Sequence, residues 1–317
     1  MLLLKECENQ TGILRCISSC LKDERHQSYI DHSYEDMLTQ RVLQIAAGYE
    51  DANDCNTLRN DNIFKLCSNK LPQDGALASQ PTMSRFENKP SRSEQYRIAE
   101  AFVNQFLQSY TEEPHQYIIL DCDDTNSNIY GEQQLSLCND YYGEYCYMPL
   151  HIYEGVSGKL ITTILKPGRR SKNTNVFAIL SRLIVKLRGC WKHTMIIVRG
   201  DGHFCNQQLM DWCSDKKGVH LLTGLTGNKA LNKLADITIE SAKRQYVQTQ
   251  KPVKRYHSFE YQAASSKQSQ RVIVKVEAND KGTNIRYIVT DIRAVRTTII
   301  RSRLLCKRGY GTAHKRA

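Results

Sequence analysis

Acidic side chains are concentrated at two points of the sequence, and both follow short apolar runs. The stretch QYIILDCDDTNSN carries Asp121, Asp123 and Asp124 directly after four apolar or aromatic residues, and VRGDGHF carries Asp201 between two glycines. Along a strand, Asp121 and Asp123 would point to one face and Asp124 to the other. Carboxylates held close together repel one another unless a proton or a cation lies between them. The pattern indicates either a hard-oxygen site suited to Mg²⁺ or Mn²⁺, or acids that only cap turns.

A sheet is needed to bring these acids together, and the order of predicted elements supplies one. An apolar strand leads into Asp121, and EYCYMPLHIYEG and KLITTILKPG are predicted as two more strands. A helix over about 175–189, the strand HTMIIVRGDG, a helix over 206–216 and the strand VHLLTGL follow. This β-β-β-α-β-α-β order is that of a ribonuclease H-like core. Ligands of α/β sheets lie at the carboxyl ends of strands, which is where Asp201 is expected.

The residues before this core are predicted to be helical. Ser33 and Ser91 are each followed three residues later by an acid, the pattern of a capping box at the start of a helix. After Ser33, apolar residues repeat at helical spacing and predict the buried face of that helix. They are Leu38, Val42 and Ile45.

A short segment between these two helices, ASQPTMSRFENK, has the size and chemistry of a DNA recognition helix. Pro81 suits the first helical turn, and Arg85 and Lys89 are four residues apart. We predict Ser84, Arg85 and Lys89 as DNA contacts. An ordinary connecting helix in a bundle would explain the segment equally well.

The charge of the chain is uneven. The formal net charge is +11, yet the first 110 residues are slightly acidic, and residues 293–317 contain eight Lys or Arg and no acid. Such a distribution is compatible with phosphate binding and with a solvated basic tail. The twelve cysteines are scattered without a CxxC pair, which favours free thiols over zinc. No apolar run approaches the length of a membrane span, so we expect a cytoplasmic protein without a membrane partner.

Four parts are predicted along the chain. Residues 1–114 form a helical region and residues 115–230 form the α/β core. Residues 231–292 alternate like antiparallel strands around the turn NDKG and are predicted as an inserted β subdomain. Residues 293–317 would be the basic remainder of the core, ending in an incomplete helix.

From Ser33 to about Gly224 the sequence resembles the DDE transposases of bacterial insertion sequences, specifically the 1380-type family. The resemblance is carried by QRVLQIAAGYEDANDCNTLRND, LCSNKLPQDGALASQPTMSRFENKPSR, LDCDDT, YGEQQ, YYGEYCYMPLHIYEG, LKPG and RGDGHF. It implies a helical DNA-binding region, a ribonuclease H-like catalytic core and an inserted β domain before the last catalytic acid. It also implies double-stranded DNA as partner, both terminal inverted repeats and target, with self-association on DNA in a nucleoid-associated, cytoplasmic protein.

The resemblance assigns the acids as well. In such enzymes three carboxylates hold two Mg²⁺ ions for displacement at phosphorus. Asp123 matches the first acid and Asp201 the second, while Asp121 is a supporting acid, an alternative metal ligand or, in place of Asp123, the first acid itself. In the last motif Arg308 matches the arginine, and we include it among the DNA contacts. The position of the third acid falls on Thr312, so the resemblance implies a truncated or frameshifted copy.

Two other interpretations remain open at this point. ILDCDDT with IIVRGDG also fits a haloacid-dehalogenase-like phosphatase, in which Asp121 would be the nucleophile and Asp123 the general acid and base. Against it, no acid follows the GD closely, where Cys205, Asn206 and Gln207 stand. The other alternative is an inactive DNA-binding remnant of a transposase, which recognises element ends without cutting them.

Overall fold

The chain is divided into two units, which are described separately. The computed structural model describes residues 1–114, 116–129, 136–169, 176–262 and 269–292. Unit 1 is Met1–Ser109 and unit 2 is Tyr110–Ala317. The cysteines within the described ranges are all free, and no helix described there is long and apolar enough to span a bilayer. The finer division into four parts stays a prediction.

Unit 1 is helical over its described length. A single 3-10 turn, Gln27–Tyr29, lies between the second and third helices. The helices are α1 (Leu2–Thr11), α2 (Ile13–Ser18), α3 (Tyr34–Ala46), α4 (Asp54–Leu58), α5 (Asn62–Cys67), α6 (Gln80–Glu87) and α7 (Arg92–Gln108).

Capping boxes begin α3 and α7, as the sequence predicts. The Ser33 side chain accepts from the backbone N–H of Asp36, and the Asp36 carboxylate accepts from the backbone N–H of Ser33. Ser91 and Glu94 repeat this exchange at α7. Glu94 also accepts a 2.7 Å hydrogen bond from the backbone N–H of Lys22. That bond, followed by those from Ser91, lowers the pKa of Glu94 to about 2.

The buried face of α3 differs from the predicted one. Val42 and Ile45 are 37% and 46% exposed, whereas Met37 is buried. The polar residue Gln40 is buried as well, because its amide exchanges two 3.0 Å hydrogen bonds with the backbone of Ala78. A polar residue such as Gln40 can therefore lie on the buried face of a helix when its amide is hydrogen-bonded, which apolar spacing alone does not predict. The core cluster on this side consists of Tyr34, Met37, Cys55, Ala78, Met83 and Phe86.

Unit 2 is built on a large mixed sheet with three helices described. The helices are α8 (Val176–Cys190), α9 (Gln207–Ser214) and α10 (Lys229–Thr249). The strands are β1 (Tyr117–Asp124), β2 (Ser127–Asn128), β3 (Leu137–Asn139), β4 (Glu144–Tyr147), β5 (Leu150–Glu154), β6 (Leu160–Ile164), β7 (Met195–Gly200), β8 (Val219–Leu225), β9 (Val253–Tyr261), β10 (Gln270–Asn279) and β11 (Gly282–Thr290).

The main sheet has eight strands in the order β6-β5-β1-β7-β8-β11-β10-β9. β1 pairs antiparallel with β5, which pairs antiparallel with β6. On its other side β1 pairs parallel with β7, and β7 pairs parallel with β8. The carboxyl ends of β1, β7 and β8 therefore lie at one edge of the sheet, where a ligand site is expected.

One predicted strand is divided in two. The stretch EYCYMPLHIYEG forms β4, which belongs to a small sheet of order β2-β4-β3, and β5, which belongs to the main sheet. Pro149 lies between them and has no N–H to donate to a ladder. Its carbonyl accepts a 3.1 Å hydrogen bond from the backbone N–H of Thr125. The chain thus changes sheets at the proline.

Residues 231–292 also differ from the prediction, in two respects. The three antiparallel strands are present, but they are preceded by the 21-residue helix α10. Strand β11 pairs with β8, so these strands extend the main sheet instead of forming a separate one. Helix α10 packs on β9–β11 through one apolar face. That face and its partners include Leu231, Ala235, Ile239, Ala242, Val272, Val274 and Val276.

Candidate active site

A buried ion pair joins the two strands that carry the acids. Asp121 on β1 and Arg199 on β7 are register partners in the parallel ladder. Arg199 donates from Nε to Oδ1 of Asp121 at 3.0 Å and from Nη2 to Oδ2 at 2.6 Å. The two side chains are only 4% and 8% exposed. Both oxygens of Asp121 therefore face a guanidinium, an arrangement that neutralises the carboxylate and holds β1 against β7.

A glycine makes room for this ion pair. A Cβ placed on Gly155 would lie 3.0 Å from Nη2 of Arg199 and from the side chain of Ile119. Any larger residue would press on the guanidinium. The motif IYEG, recognised in the sequence only as the end of a strand, thus has a packing role beside the acids.

Asp123 and Asp201 lie one step further toward the carboxyl edge. The last parallel pair of β1 and β7 is Asp121 with Arg199. Asp123 follows Asp121 by two residues, and Asp201 follows Arg199 by two residues. Side chains two residues apart share a face, and neighbouring strands are about 4.8 Å apart. The register therefore brings the two predicted catalytic acids to the same end and the same face of adjacent strands.

Asp201 is oriented by the turn that it begins. It caps the 3-10 turn Gly202–Phe204 by accepting a 2.8 Å hydrogen bond from the backbone N–H of His203. Its second oxygen lies 3.3 Å from Nδ1 of His203. The side chain is still 49% exposed. Asp201 is thus a capping acid, as one of the two sequence interpretations holds, and it still presents a carboxylate to solvent.

Close packing around glycines fixes this turn. A Cβ on Gly224 of β8 would lie 2.8 Å from the backbone nitrogen of Gly202, and one on Gly200 would lie 2.7 Å from the ring of Phe204. Phe204 is buried beneath the turn. No sequence pattern predicted the roles of Arg199, Gly224 and Phe204, although the Gly-Asp-Gly spacing does indicate a sharp turn.

The surroundings of Asp123 differ from those of Asp124. Asp123 lies opposite His151 in the β1–β5 ladder. Burial lowers the pKa of His151, and the nearby Asp123 and Asp124 oppose that shift. Asp124 forms a 2.7 Å ion pair with Nζ of Lys166. Two of the three clustered acids therefore form ion pairs, Asp124 with Lys166 and Asp121 with Arg199.

A cleft of about 440 Å³ opens beside Asp201. Its walls come from β7, β8, β10 and β11, and they include Asp201, Lys275 and Arg286. Lys275 and Arg286 are cross-strand partners in the β10–β11 ladder. Lys275 is paired with Glu277 at 3.0 Å, whereas Arg286 is exposed. A carboxylate and two basic groups thus line one concave surface.

Other acids late in the sequence lie away from this point. Asp291 follows β11, where Thr290 pairs with Leu222 in the middle of β8, and it accepts a 2.8 Å hydrogen bond from the backbone N–H of Leu221. Asp291 is therefore level with Leu221, three residues before Gly224, which is roughly 10 Å back from the carboxyl edge along the strands. Glu277 lies on β10, three strands from β7, a separation of roughly 14 Å. Hydrogen bonding to Lys275 lowers its pKa.

The donor set fits a divalent cation at Asp123 and Asp201. Carboxylate oxygens are the ligands that Mg²⁺ and Mn²⁺ prefer, and both acids lie at the solvent-facing edge of the sheet. Within the described part of the chain, no three or more His, Cys, Asp or Glu side chains are grouped closely enough to hold a metal ion. Asp121, predicted as a further metal ligand, is bonded through both oxygens to Arg199.

The predicted DNA contacts in unit 1 are placed on or just after α6. Arg85 is exposed in the last turn of α6, and Ser84 is half-buried beside it. The helix ends at Glu87, so the exposed Lys89 follows the helix instead of extending its face. Arg308 and Thr312 lie outside the described residues.

Comparison with known proteins assigns the family. Residues 1–314 match the family model described as transposase DDE domain group 1, and the chain belongs to this family. The class that this family model defines is the DDE transposase domain. A search of curated proteins gives no match.

Two solved structures show weak similarity. One is the piggyBac transposase synaptic complex with hairpin DNA, at 12% identity and a TM-score of 0.46, covering 90% of this chain and 63% of that one. The other is a prototype foamy virus protease–reverse transcriptase, at 10% identity and a TM-score of 0.23, covering 84% and 35%. The chain thus spans less than two thirds of the piggyBac transposase chain, and the family assignment depends on the sequence match.

Proposed function

We propose that this chain is a transposase of a bacterial insertion sequence, of the 1380 type, and that Asp123 and Asp201 are its first two catalytic acids. The observation that carries the proposal is the register of β1 and β7, from which both acids follow at one end and on one face. The family membership supports the same chemistry.

The proposed catalytic core is ribonuclease H-like. Its support is the strand order β6-β5-β1-β7-β8, with three antiparallel strands followed by two that run parallel to β1. In this core Asp121 is a structural acid. Its ion pair with Arg199 ties together the two strands that carry the catalytic pair, and this burial argues against a phosphatase in which Asp121 would attack the substrate.

The reaction would be an in-line displacement at phosphorus by water or by a DNA 3′-hydroxyl. Asp123 and Asp201 would hold Mg²⁺ or Mn²⁺, which supplies Lewis-acid activation of the phosphate when bound. The turn at Gly202–Phe204 keeps Asp201 in place, since its carboxylate accepts the backbone N–H of His203. Lys275 and Arg286 line the adjoining cleft and would attract the anionic DNA backbone.

The proposed partners are the terminal inverted repeats of the element and a target duplex, with self-association on DNA in the nucleoid. Ser84, Arg85 and Lys89 of unit 1 are the proposed contacts to the repeat, with Arg308 as a further contact. The exposure of Arg85 and Lys89 supports this role.

A second candidate function is a DNA-binding protein that does not cut. It is favoured by one observation: residues 292–317 contain no acid, and the described acids after Asp201 lie away from the catalytic pair. In that case the metal site would persist with two carboxylates only.

Metal binding tests the proposal. We expect Mn²⁺ to bind the wild-type chain, and Asp123→Asn and Asp201→Asn each to weaken binding about tenfold or more, because an amide lacks the charge of a carboxylate. The asparagine at 201 still accepts the hydrogen bond that caps the turn, so the local fold is kept. Titration calorimetry measures the affinity.

Asp215→Asn is the matched control. Asp215 is an exposed carboxylate that follows α9, and its neutralisation should leave Mn²⁺ affinity unchanged. Equal Mn²⁺ affinity in the wild type and in both the Asp123 and Asp201 variants would refute the proposed site.

A further inference from the structure

Unit 1 contains a second cleft, of about 550 Å³, beside α6. Five of its lining residues carry basic side chains, and a single carboxylate, that of Asp31, lines it with them. The basic residues are Arg25, His32, Arg59, Arg85 and Lys89.

One wall of this cleft has its charge already compensated. Arg25 donates to both carboxylate oxygens of Asp23, at 2.8 Å and 2.5 Å, and to the carbonyl of His32 at 3.0 Å. Hydrogen bonding to Asp23 raises the pKa of Arg25. The charge of Arg25 is thus compensated by Asp23. Any uncompensated positive charge in the cleft must come from the other basic side chains.

The remaining cations have no carboxylate partner. In the described ranges Arg59, Arg85 and Lys89 form no ion pair; Arg85 donates from Nη2 to the hydroxyl of Thr82 at 3.2 Å. The Lys89 ammonium lies 5.4 Å from the ring of Tyr34. Three positive charges around one concavity, without paired acids, attract an anion.

Arg59 supplies the most specific signal. Its Nε is buried and has no hydrogen-bond partner. A buried N–H of a charged group left unpaired costs free energy that an incoming acceptor would recover. The backbone at this position is fixed, because the carbonyl of Arg59 accepts a 2.9 Å hydrogen bond from the N–H of Leu77. The backbone of Arg59 is therefore anchored, and its guanidinium retains a donor without a partner.

We propose that this cleft binds a backbone phosphate of DNA, with Arg59 and Arg85 donating to its non-bridging oxygens and Lys89 adding charge. Tyr29 also lines the cleft, is 82% exposed, and offers an aromatic surface to the adjoining sugar or base. The proposal rests on the proposed function for the identity of DNA as partner. It adds Arg59 and Tyr29 to the contacts expected from α6.

Such a contact would position α6 on the duplex without reading its sequence. Phosphate contacts set the register and orientation of a protein on DNA, whereas contacts to base edges provide specificity. Ser84 does not line the cleft, so it remains available for a base. Arg85 is assigned to the backbone instead.

The test measures binding of the full chain to a random-sequence duplex by fluorescence anisotropy over a series of salt concentrations. We expect Arg59→Gln to weaken binding and to lower the slope of log affinity against log salt by about one, the value for one lost phosphate contact. Arg85→Gln should do the same, and because Arg85 is exposed its replacement leaves the fold intact. At matched ionic strength, inorganic phosphate should compete with DNA better than chloride in the wild type and lose that advantage in Arg59→Gln.

Arg92→Gln is the matched control, because Arg92 is an exposed arginine of the same unit that does not line the cleft. Salt slopes for Arg59→Gln and Arg85→Gln that equal those of Arg92→Gln and of the wild type would overturn the phosphate site while leaving the proposed function standing. Failure of the wild type to bind either DNA or Mn²⁺ would instead count against the proposed function itself.

Discussion

Two aspartates on one strand face and two residues apart have different environments in this protein. Asp121 is buried against Arg199, and Asp123 is placed one step nearer the open edge of the sheet. The difference arises from the neighbouring strands, because Arg199 of β7 pairs with Asp121 whereas Asp123 lies past the last β1–β7 pair and opposite His151 of β5. Chemically identical side chains are thereby divided between holding the core together and forming the candidate metal site.

At the residue scale we predict that Asp121→Asn lowers stability more than it lowers metal affinity. Removing one member of a buried ion pair leaves the other charge uncompensated, which costs about 3–5 kcal/mol. Urea unfolding measures the loss, and Asp123→Asn serves as the comparison because Asp123 is only half-buried. If Asp121→Asn were no more destabilising than Asp123→Asn, the structural role of Asp121 would be wrong.

At the scale of elements, the site depends on how the turn after β7 packs on β8. Asp201 begins this turn, and Gly224 on β8 lies beneath it with no space for a side chain. This strand pair and its turn set the position of the second acid.

We predict that Gly224→Ala weakens Mn²⁺ binding about tenfold, because the added Cβ would lie 2.8 Å from the backbone nitrogen of Gly202 and must displace the turn. Overpacking of this kind costs about 1–3 kcal/mol. Gly189→Ala is the control, since a Cβ at Gly189 meets no atom within 4 Å. Calorimetry with Mn²⁺ separates the two, and wild-type affinity in Gly224→Ala would show that the turn tolerates displacement.

At the scale of the whole molecule, the question is how many acids reach the catalytic edge. Asp123 and Asp201 each follow by two residues the last parallel pair of β1 and β7, while Asp291 is set back by three residues along the strands and Glu277 is three strands away. Two-metal catalysis needs ligands for both ions about 3.5–4 Å apart. Binding one cation and DNA requires fewer carboxylates at this edge than strand cleavage does.

We predict that the 317-residue chain binds DNA but does not nick it. The assay is cleavage of a labelled element-end duplex with Mn²⁺ present, and Asp201→Asn is the control for contaminating nuclease. Nicking that disappears in Asp201→Asn would show that a further acid completes the site.

Much of the architecture follows from local sequence. The capping boxes at Ser33 and Ser91 and the Gly-Asp-Gly turn at Asp201 were predicted because each depends on residues a few positions apart. Apolar runs bounded by turn residues likewise predicted the core strands, alternating patterns predicted the strands within residues 231–292, and the strand–helix order led to an α/β sheet. Short sequence patterns are sufficient to predict such features, because the interacting groups lie only a few residues apart in the sequence.

The tertiary structure decided what depends on partners distant in the sequence. It buried Gln40 in α3 because the backbone of Ala78 satisfies the amide. It joined β11 to β8 and so merged the predicted β subdomain with the main sheet. It paired Asp121 with Arg199, a residue 78 positions away, and placed Asp123 opposite His151. Local patterns indicate where acids are clustered, but the free energy of burial and pairing, which arises only when distant strands meet, determines which of them is buried in an ion pair.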